Sequence, residues 1–333
     1  MRFIKYGLLT LLGLFVTIQL VLWGSTLAAL DHDRLHTAAT EALPLFSGES
    51  DSGLVRIEAN NFEFRARVAG FNQPQHTGNL ILLHGFPETS IMYTPLIAAA
   101  DAAGYRVVAF DQRGYSPGAR PTGSDNYTGD RLVGDVLAVA DAAGFDEFHL
   151  VGHDWGAAVG WQVVFAAADR INSWTALSIP HVVAFGDALE NDPEQRSKSS
   201  YMAFFWLPFI PENTFGFNDF GLLDIFFGEH PKLEVQEYKA VLSEPGAMTG
   251  ALNWYRAGQG EADSGGSVDI LTPTLFIWGS KDPAVAKAAV EGQRPFMKGP
   301  FRETELTTGH WLMATATDPV VADVLAHITE HSR

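Results

Sequence analysis

The stretch Phe148 to Gly156, FHLVGHDWG, decides how the chain is read. A short apolar run, Phe148 to Val151, breaks into Gly152-His153-Asp154-Trp155-Gly156 and continues as AAVGWQVVFAAA, so the spacing predicts a strand, a sharp turn and a helix. Glycines on either side let the backbone bend tightly enough to present the middle side chain above the end of a sheet. The residue presented is Asp154, not serine. A carboxylate with a reference pKa of about 3.9 is ionised at neutral pH and needs no base to become a nucleophile. Such a nucleophile attacks saturated carbon rather than a carbonyl. The plainer alternative is a strand-to-helix turn in which Asp154 only caps the helix.

Working outward, strands are expected at LVRIEA and FEFRARVAG around Asn60-Asn61, at NLILLHG (79 to 85), YRVVAF (105 to 110) and Trp174 to Ser178. Helices are expected near Tyr93 to Ala103 and Asp130 to Ala143. NLILLHG is continuously apolar, as a strand buried on both faces would be. Alternating strands and helices predict an α/β fold, a mostly parallel sheet flanked by helices, with reactive groups on loops at the strands' carboxyl ends. The alternation stops after the sixth strand and resumes at TLFIWG (274 to 279), FRETELT (301 to 307) and a helix near Pro319 to His331. An inserted, mainly helical lid over 181–268 therefore divides a core of 54–180 and 269–333. Tyr201 to Phe227 is crowded with aromatics, most of them expected in packing contacts and some in an apolar pocket. Gly258 to Ser267, GQGEADSGGS, is expected to be the flexible return to the core.

A chain of 333 residues with 22 basic and 39 acidic side chains carries a formal charge of −17, which disfavours nucleic acid and anionic surfaces as partners. It has no cysteine, hence no thiol nucleophile or thiolate metal site. Arg2 and Lys5 precede an uncharged run, Tyr6 to Leu30, long enough to cross a bilayer core of about 30 Å. Residues 1–30 are expected to be a transmembrane anchor, or a signal peptide cleaved near Ser25 to Ala29. Either way, the body of the protein is expected outside the cytoplasm, with membrane contact through this segment only. Residues 31–53 read as a tether.

Each predicted strand end carries a residue useful to the chemistry of Asp154. A tight turn at His84-Gly85-Phe86-Pro87 would aim the Phe86 N–H at the same point as the Trp155 N–H, and two such donors would make an oxyanion hole. Asp282, in WGSKD, and His310, in GHW, complete the order nucleophile, acid, base. His310 would deprotonate water while Asp282 fixes its tautomer. Taken alone, Asp282 reads equally well as a helix cap ahead of Pro283.

HGFPETS (84 to 90), DQRGYSPGARP (111 to 121), GHDWG (152 to 156), NWYR (253 to 256), WGSKD (278 to 282) and GHW (309 to 311) together resemble the epoxide hydrolases of the α/β-hydrolase fold. The resemblance runs from Leu54 to the C-terminus. It implies Asp154 as nucleophile, Asp282 and His310 as the water-activating pair, and the Phe86 and Trp155 amides as the oxyanion hole. It also implies two lid tyrosines above the nucleophile: Tyr255, within NWYR, and Tyr201, heading YMAFFW, with Tyr238 as substitute. The implied substrates are a small apolar epoxide and water, with no cofactor and no metal; oligomeric state stays open. Phenols suit this task because they remain protonated at neutral pH and can donate to the alkoxide of an opening epoxide.

Haloalkane dehalogenation is the nearest rival. It needs donors for a leaving halide, which Trp155 and Trp206 would have to supply, although Phe86 stands where many dehalogenases carry an asparagine. Other hydrolysis on this scaffold is a further alternative. A tethered, non-catalytic binding protein is another, but it would be expected to have lost Asp154, Asp282 or His310.

Overall fold

The computed structural model describes residues 13–22, 43–48, 52–73, 75–257 and 268–332. One sheet of eight strands runs through them: β1 (Ser52–Ala59), β2 (Phe62–Ala69), β3 (Gly78–Leu83), β4 (Tyr105–Phe110), β5 (Phe148–His153), β6 (Ile171–Leu177), β7 (Thr274–Gly279) and β8 (Phe301–Leu306). Their spatial order is β1-β2-β4-β3-β5-β6-β7-β8. β1 with β2 and β2 with β4 pair antiparallel, and every pairing from β4 to β8 is parallel. Asn60 and Asn61 both take positive φ, 50° and 62°, as a two-residue hairpin whose twist matches its strands requires.

The helices α1 (Thr94–Ala102), α2 (Gly129–Ala142) and α3 (Trp155–Ala166) connect the parallel strands. Between β6 and β7 lie the helices α4 (Val182–Asn191), α5 (Pro193–Lys198), α6 (Met202–Phe205), α7 (Ile210–Phe226), α8 (Lys232–Leu242) and α9 (Ala247–Ala257). α7 is broken by non-helical backbone from Phe217 to Phe220. α10 (Lys287–Gly292), α11 (Leu312–Thr315) and α12 (Thr317–Glu330) complete the chain.

Covered by helices on both faces, β5 and β7 are buried at every residue. Their continuous apolar character follows from that position. β1, at one edge, buries only alternate residues, Val55, Ile57 and Ala59. β3 lies between β4 and β5, where the strand order turns back on itself. Loops leaving β3 and β5 there diverge and leave a crevice at their carboxyl ends.

The tether expected over 31–53 needs correction. Residues 43–48 lie along β1: the Phe46 N–H donates to Arg56 O and the Arg56 N–H to Pro44 O, at 2.8 and 2.9 Å, and the Phe46 and Phe71 rings meet edge to face. LPLFSG, residues 43–48, is an apolar patch within the otherwise polar stretch, and the free edge of β1 supplies its hydrogen-bond partners. β1 and β6 also begin earlier than expected, at Ser52 and Ile171. Most of the run expected to be an anchor or signal, and the return at 258–267, lie outside the described residues. Among the described residues no helix is long and apolar enough to cross a membrane.

Candidate active site

Four loops, one after each of β3, β5, β7 and β8, converge on Asp154. This residue forms the turn from β5 into α3 with φ 51° and ψ −121°, a strained conformation for a side chain with a Cβ. Its neighbours must be glycine because backbones approach closely: a Cβ on Gly152 would lie 2.3 Å from Gly156 O, and one on Gly156 would lie 2.1 Å from Leu83 O. A Cβ on Gly85 would come within 2.5 Å of the Asp154 Cβ, so the glycine of HGFP lets that loop close over the carboxylate. The capping alternative fails, since the Asp154 side chain makes no cap hydrogen bond to α3.

Instead the two carboxylate oxygens are divided between partners. Oδ1 accepts from the Phe86 N–H at 2.9 Å, and Oδ2 faces His310 Nε2 at 3.4 Å. On the other side of the ring, His310 Nδ1 lies 2.8 Å from Asp282 Oδ2. Asp282 Oδ1 accepts from the Ala284 and Val285 N–H groups at 2.7 and 3.2 Å. Asp282 is therefore not a helix cap: α10 begins only at Lys287 with Ala286 in its cap position, so Oδ1 of Asp282 closes a local turn while Oδ2 faces His310. Trp155 opens α3, whose leading N–H groups have no acceptor within the helix.

Electrostatics follow from this enclosure. Burial alone would lower the pKa of His310, but the Asp282 and Asp154 carboxylates outweigh it and hold the imidazole well above the ordinary histidine value. Burial pushes Asp282 up, yet His310 and the two loop amides bring it below the usual carboxylate value.

Tyr255 and Tyr201 stand together, ring centroids 6.3 Å apart. Tyr255 meets the rings of Trp155, Phe86 and Phe205 edge to face at 5.0, 5.2 and 4.9 Å. Burial, Tyr201 and the Asp154 charge push the Tyr255 phenol well above 10; burial, Asp154 and Asp282 push Tyr201 up likewise. The motif NWYR explains the placement of Tyr255 on α9. Trp254 Nε1 donates to Arg113 O of the core at 2.9 Å, while Arg256 pairs with Glu212 of α7 at 2.8 Å. With the preceding residue anchored to the core and the following one to α7, the phenol is fixed between them.

Tyr238, the substitute, lies elsewhere. It is buried on α8 with its hydroxyl 3.4 Å from Glu234 Oε2 and its ring beside Phe227 and His230. Trp206, invoked as a halide donor by the rival reading, is 45% exposed and so gives that reading no second indole.

Residues 78–207 match the α/β hydrolase fold family. The chain is 30% identical to epoxide hydrolase 4 of Homo sapiens over 84% of its own length and 79% of that protein's. It is 35% identical to the AB hydrolase superfamily protein YfhM of Bacillus subtilis (strain 168), over 70% of this chain and 84% of that one. The crystal structure of epoxide hydrolase A from Mycobacterium thermoresistibile superposes with a TM-score of 0.71 at 25% identity, covering 83% of this chain and 98% of that one. This chain belongs to the epoxide hydrolase family of the α/β-hydrolase fold.

Behind Asp154 of this epoxide hydrolase runs a buried polar chain that sequence reasoning missed. His153 Nδ1 lies 2.8 Å from Glu88 Oε2, and His153 Nε2 lies 3.0 Å from the backbone oxygen of His310, which also accepts from Ser178 Oγ at 3.0 Å. His230, between α7 and α8, brings Nε2 to 3.6 Å from Glu88 Oε1, a charge contact rather than a hydrogen bond. Burial works to raise the Glu88 carboxyl, but the His153 and His230 imidazoles hold it down at about 2. Glu88 and His153 both lie inside quoted motifs. Only the adjacency of β3 and β5, however, shows that they meet. A second network docks α8 on the core: Glu237 Oε1 accepts from Arg65, Arg67 and Thr89 at 3.0, 3.0 and 2.7 Å.

Proposed function

We propose that this chain hydrolyses apolar epoxides to vicinal diols through an ester on Asp154. The division of the Asp154 oxygens carries the reading. Oδ1 already occupies the position in which a Phe86 N–H would stabilise an oxyanion, which leaves Oδ2 as the attacking atom. In the first half-reaction Oδ2 bonds to an epoxide carbon, the carbon–oxygen bond of the ring breaks, and a proton from Tyr255 or Tyr201 meets the alkoxide. In the second, His310 Nε2 takes a proton from water and the water oxygen adds to the Asp154 carboxyl carbon. Negative charge gathers on Oδ1 before the bond to Oδ2 breaks. The diol leaves with the original Oδ2.

Alkylation also prepares the base. In the resting site two carboxylates raise the His310 pKa, and esterification removes the charge of one of them. His310 therefore loses part of what keeps it protonated at the step where it must accept a proton. The aromatic enclosure formed by Phe86, Trp155, Phe205 and Tyr255 favours an apolar substituent on the epoxide.

The test of the tyrosines is direct. Replacing Tyr255 by Phe removes a donor to developing charge and should slow alkylation by about 2.7–4 kcal/mol, roughly 100- to 1,000-fold, if no other donor compensates. Single-turnover mass spectrometry of the intact protein measures the rate. Alkylation of the Y255F protein at the wild-type rate would exclude Tyr255 as the acid. Tyr201→Phe should act in the same half-reaction.

A further inference from the structure

The loop bearing Asp282 is not held by the core alone. α5, in the helical segment between β6 and β7, grips it with two side chains. The Gln195 amide is 0% exposed and addresses the loop as a second strand would: Nε2 donates to Ala284 O at 2.8 Å and Oε1 accepts from the Ala286 N–H at 2.7 Å. Lys198 Nζ donates to Asp282 O at 2.6 Å and to Val285 O at 2.8 Å. A buried amide that is fully hydrogen-bonded fixes its partners, because leaving either group unpaired is costly. α5 is itself anchored by Asp192, whose Oδ1 accepts from the Gln195 N–H at 2.7 Å, and by Pro193 in its first turn.

We propose that Gln195 and Lys198 are positioning residues for the water-activating pair. They act through the backbone of residues 282–286 on the carboxylate of Asp282. The loop residues that they hold, Ala284 and Val285, are the same ones whose amides fix Asp282 Oδ1, and Oδ2 of that carboxylate orients His310. Release of the loop therefore reaches His310 without touching Asp154 or its Phe86 donor. The inference rests on the two-step reading above.

The experiment separates the half-reactions in the full chain. In Gln195→Met and Lys198→Met, an epoxide should alkylate Asp154 at the wild-type rate. The ester should decay about 10- to 100-fold more slowly, the loss expected when a reacting group is misplaced by about 1 Å. The adduct then accumulates in the steady state. The acid limb of ester hydrolysis should also move to lower pH, because a loosened Asp282 no longer offsets the effect of burial on His310. Lys198→Arg, which keeps a donor at the same place, should restore decay. Thermal unfolding of each variant is followed in parallel. Slowing of both half-reactions in proportion to lost stability would overturn the proposal, as would decay at the wild-type rate. Absence of adduct in His310→Gln as well would overturn the ester on Asp154 and this assignment with it, a result distinguishable from the other two.

Discussion

Replacing His310 by Gln should leave the enzyme able to react with an epoxide once and almost unable to finish. A carboxylate needs no base to act as a nucleophile, and Phe86 still holds Oδ1, so alkylation should proceed. Ester hydrolysis lacks its base and should fall by a factor of about 100 to 10,000, the usual worth of general base catalysis. The intact mass then rises by one epoxide per protein and stays there. The same variant isolates the pH dependence of the first step. Burial and nearby charge raise the phenols of Tyr255 and Tyr201, so the protonated donor persists to higher pH than in a free tyrosine. Alkylation should accordingly show no alkaline decline below about pH 10. A decline starting near pH 8 would exclude the two phenols as the proton source.

Replacing Gly156 by Ala should damage the site out of proportion to its size. The added methyl would stand 2.1 Å from Leu83 O and 2.7 Å from His84 O. These are backbone atoms at the end of β3 and cannot rotate away. Either α3 must withdraw or the HGFP loop must lift off Asp154. Overpacking of this kind costs on the order of 1–3 kcal/mol or more, and a shift of about 1 Å between Asp154 and Phe86 would cost activity roughly 100-fold. Gly186→Ala is the matched control, since a Cβ there meets nothing within 4 Å and lies in α4, where alanine is the better helix former. Calorimetry and turnover of the two variants should therefore diverge. Equal behaviour would mean that the close approach at Gly156 does not govern the site.

These glycines also explain how much was legible in the sequence. The spacing of Gly152, Asp154 and Gly156 encodes a local necessity, close backbone contact at a turn, and local necessities are visible in a linear string. The buried strands are readable for a similar reason, since burial on both faces leaves only apolar residues to choose from. The break in α7 at Phe217 to Phe220 is different: Asn218 and Asp219 are residue types that tolerate the left-handed backbone they adopt, but no spacing in the sequence marks the break there. The role of Phe46 along β1 was hidden in the same way. The sequence assigns Tyr201 from its place early in the lid, with Tyr238 as the substitute. They were separated only by what they pack against, Tyr255 for one and Glu234 with Phe227 for the other. Gln195 and Lys198 are ordinary polar helix residues in the sequence, and nothing short of the folded loop at Asp282 marks them.

The ester on Asp154 is most directly tested by a single turnover in water enriched in heavy oxygen, followed by mass spectrometry of the peptide containing Asp154 and of the diol. Water attacks the carboxyl carbon and Oδ2 departs with the product, so the first turnover should place one heavy oxygen in Asp154 and none in the diol. Heavy oxygen in the diol alone after one turnover would mean that water attacks the epoxide carbon directly, and would contradict the account.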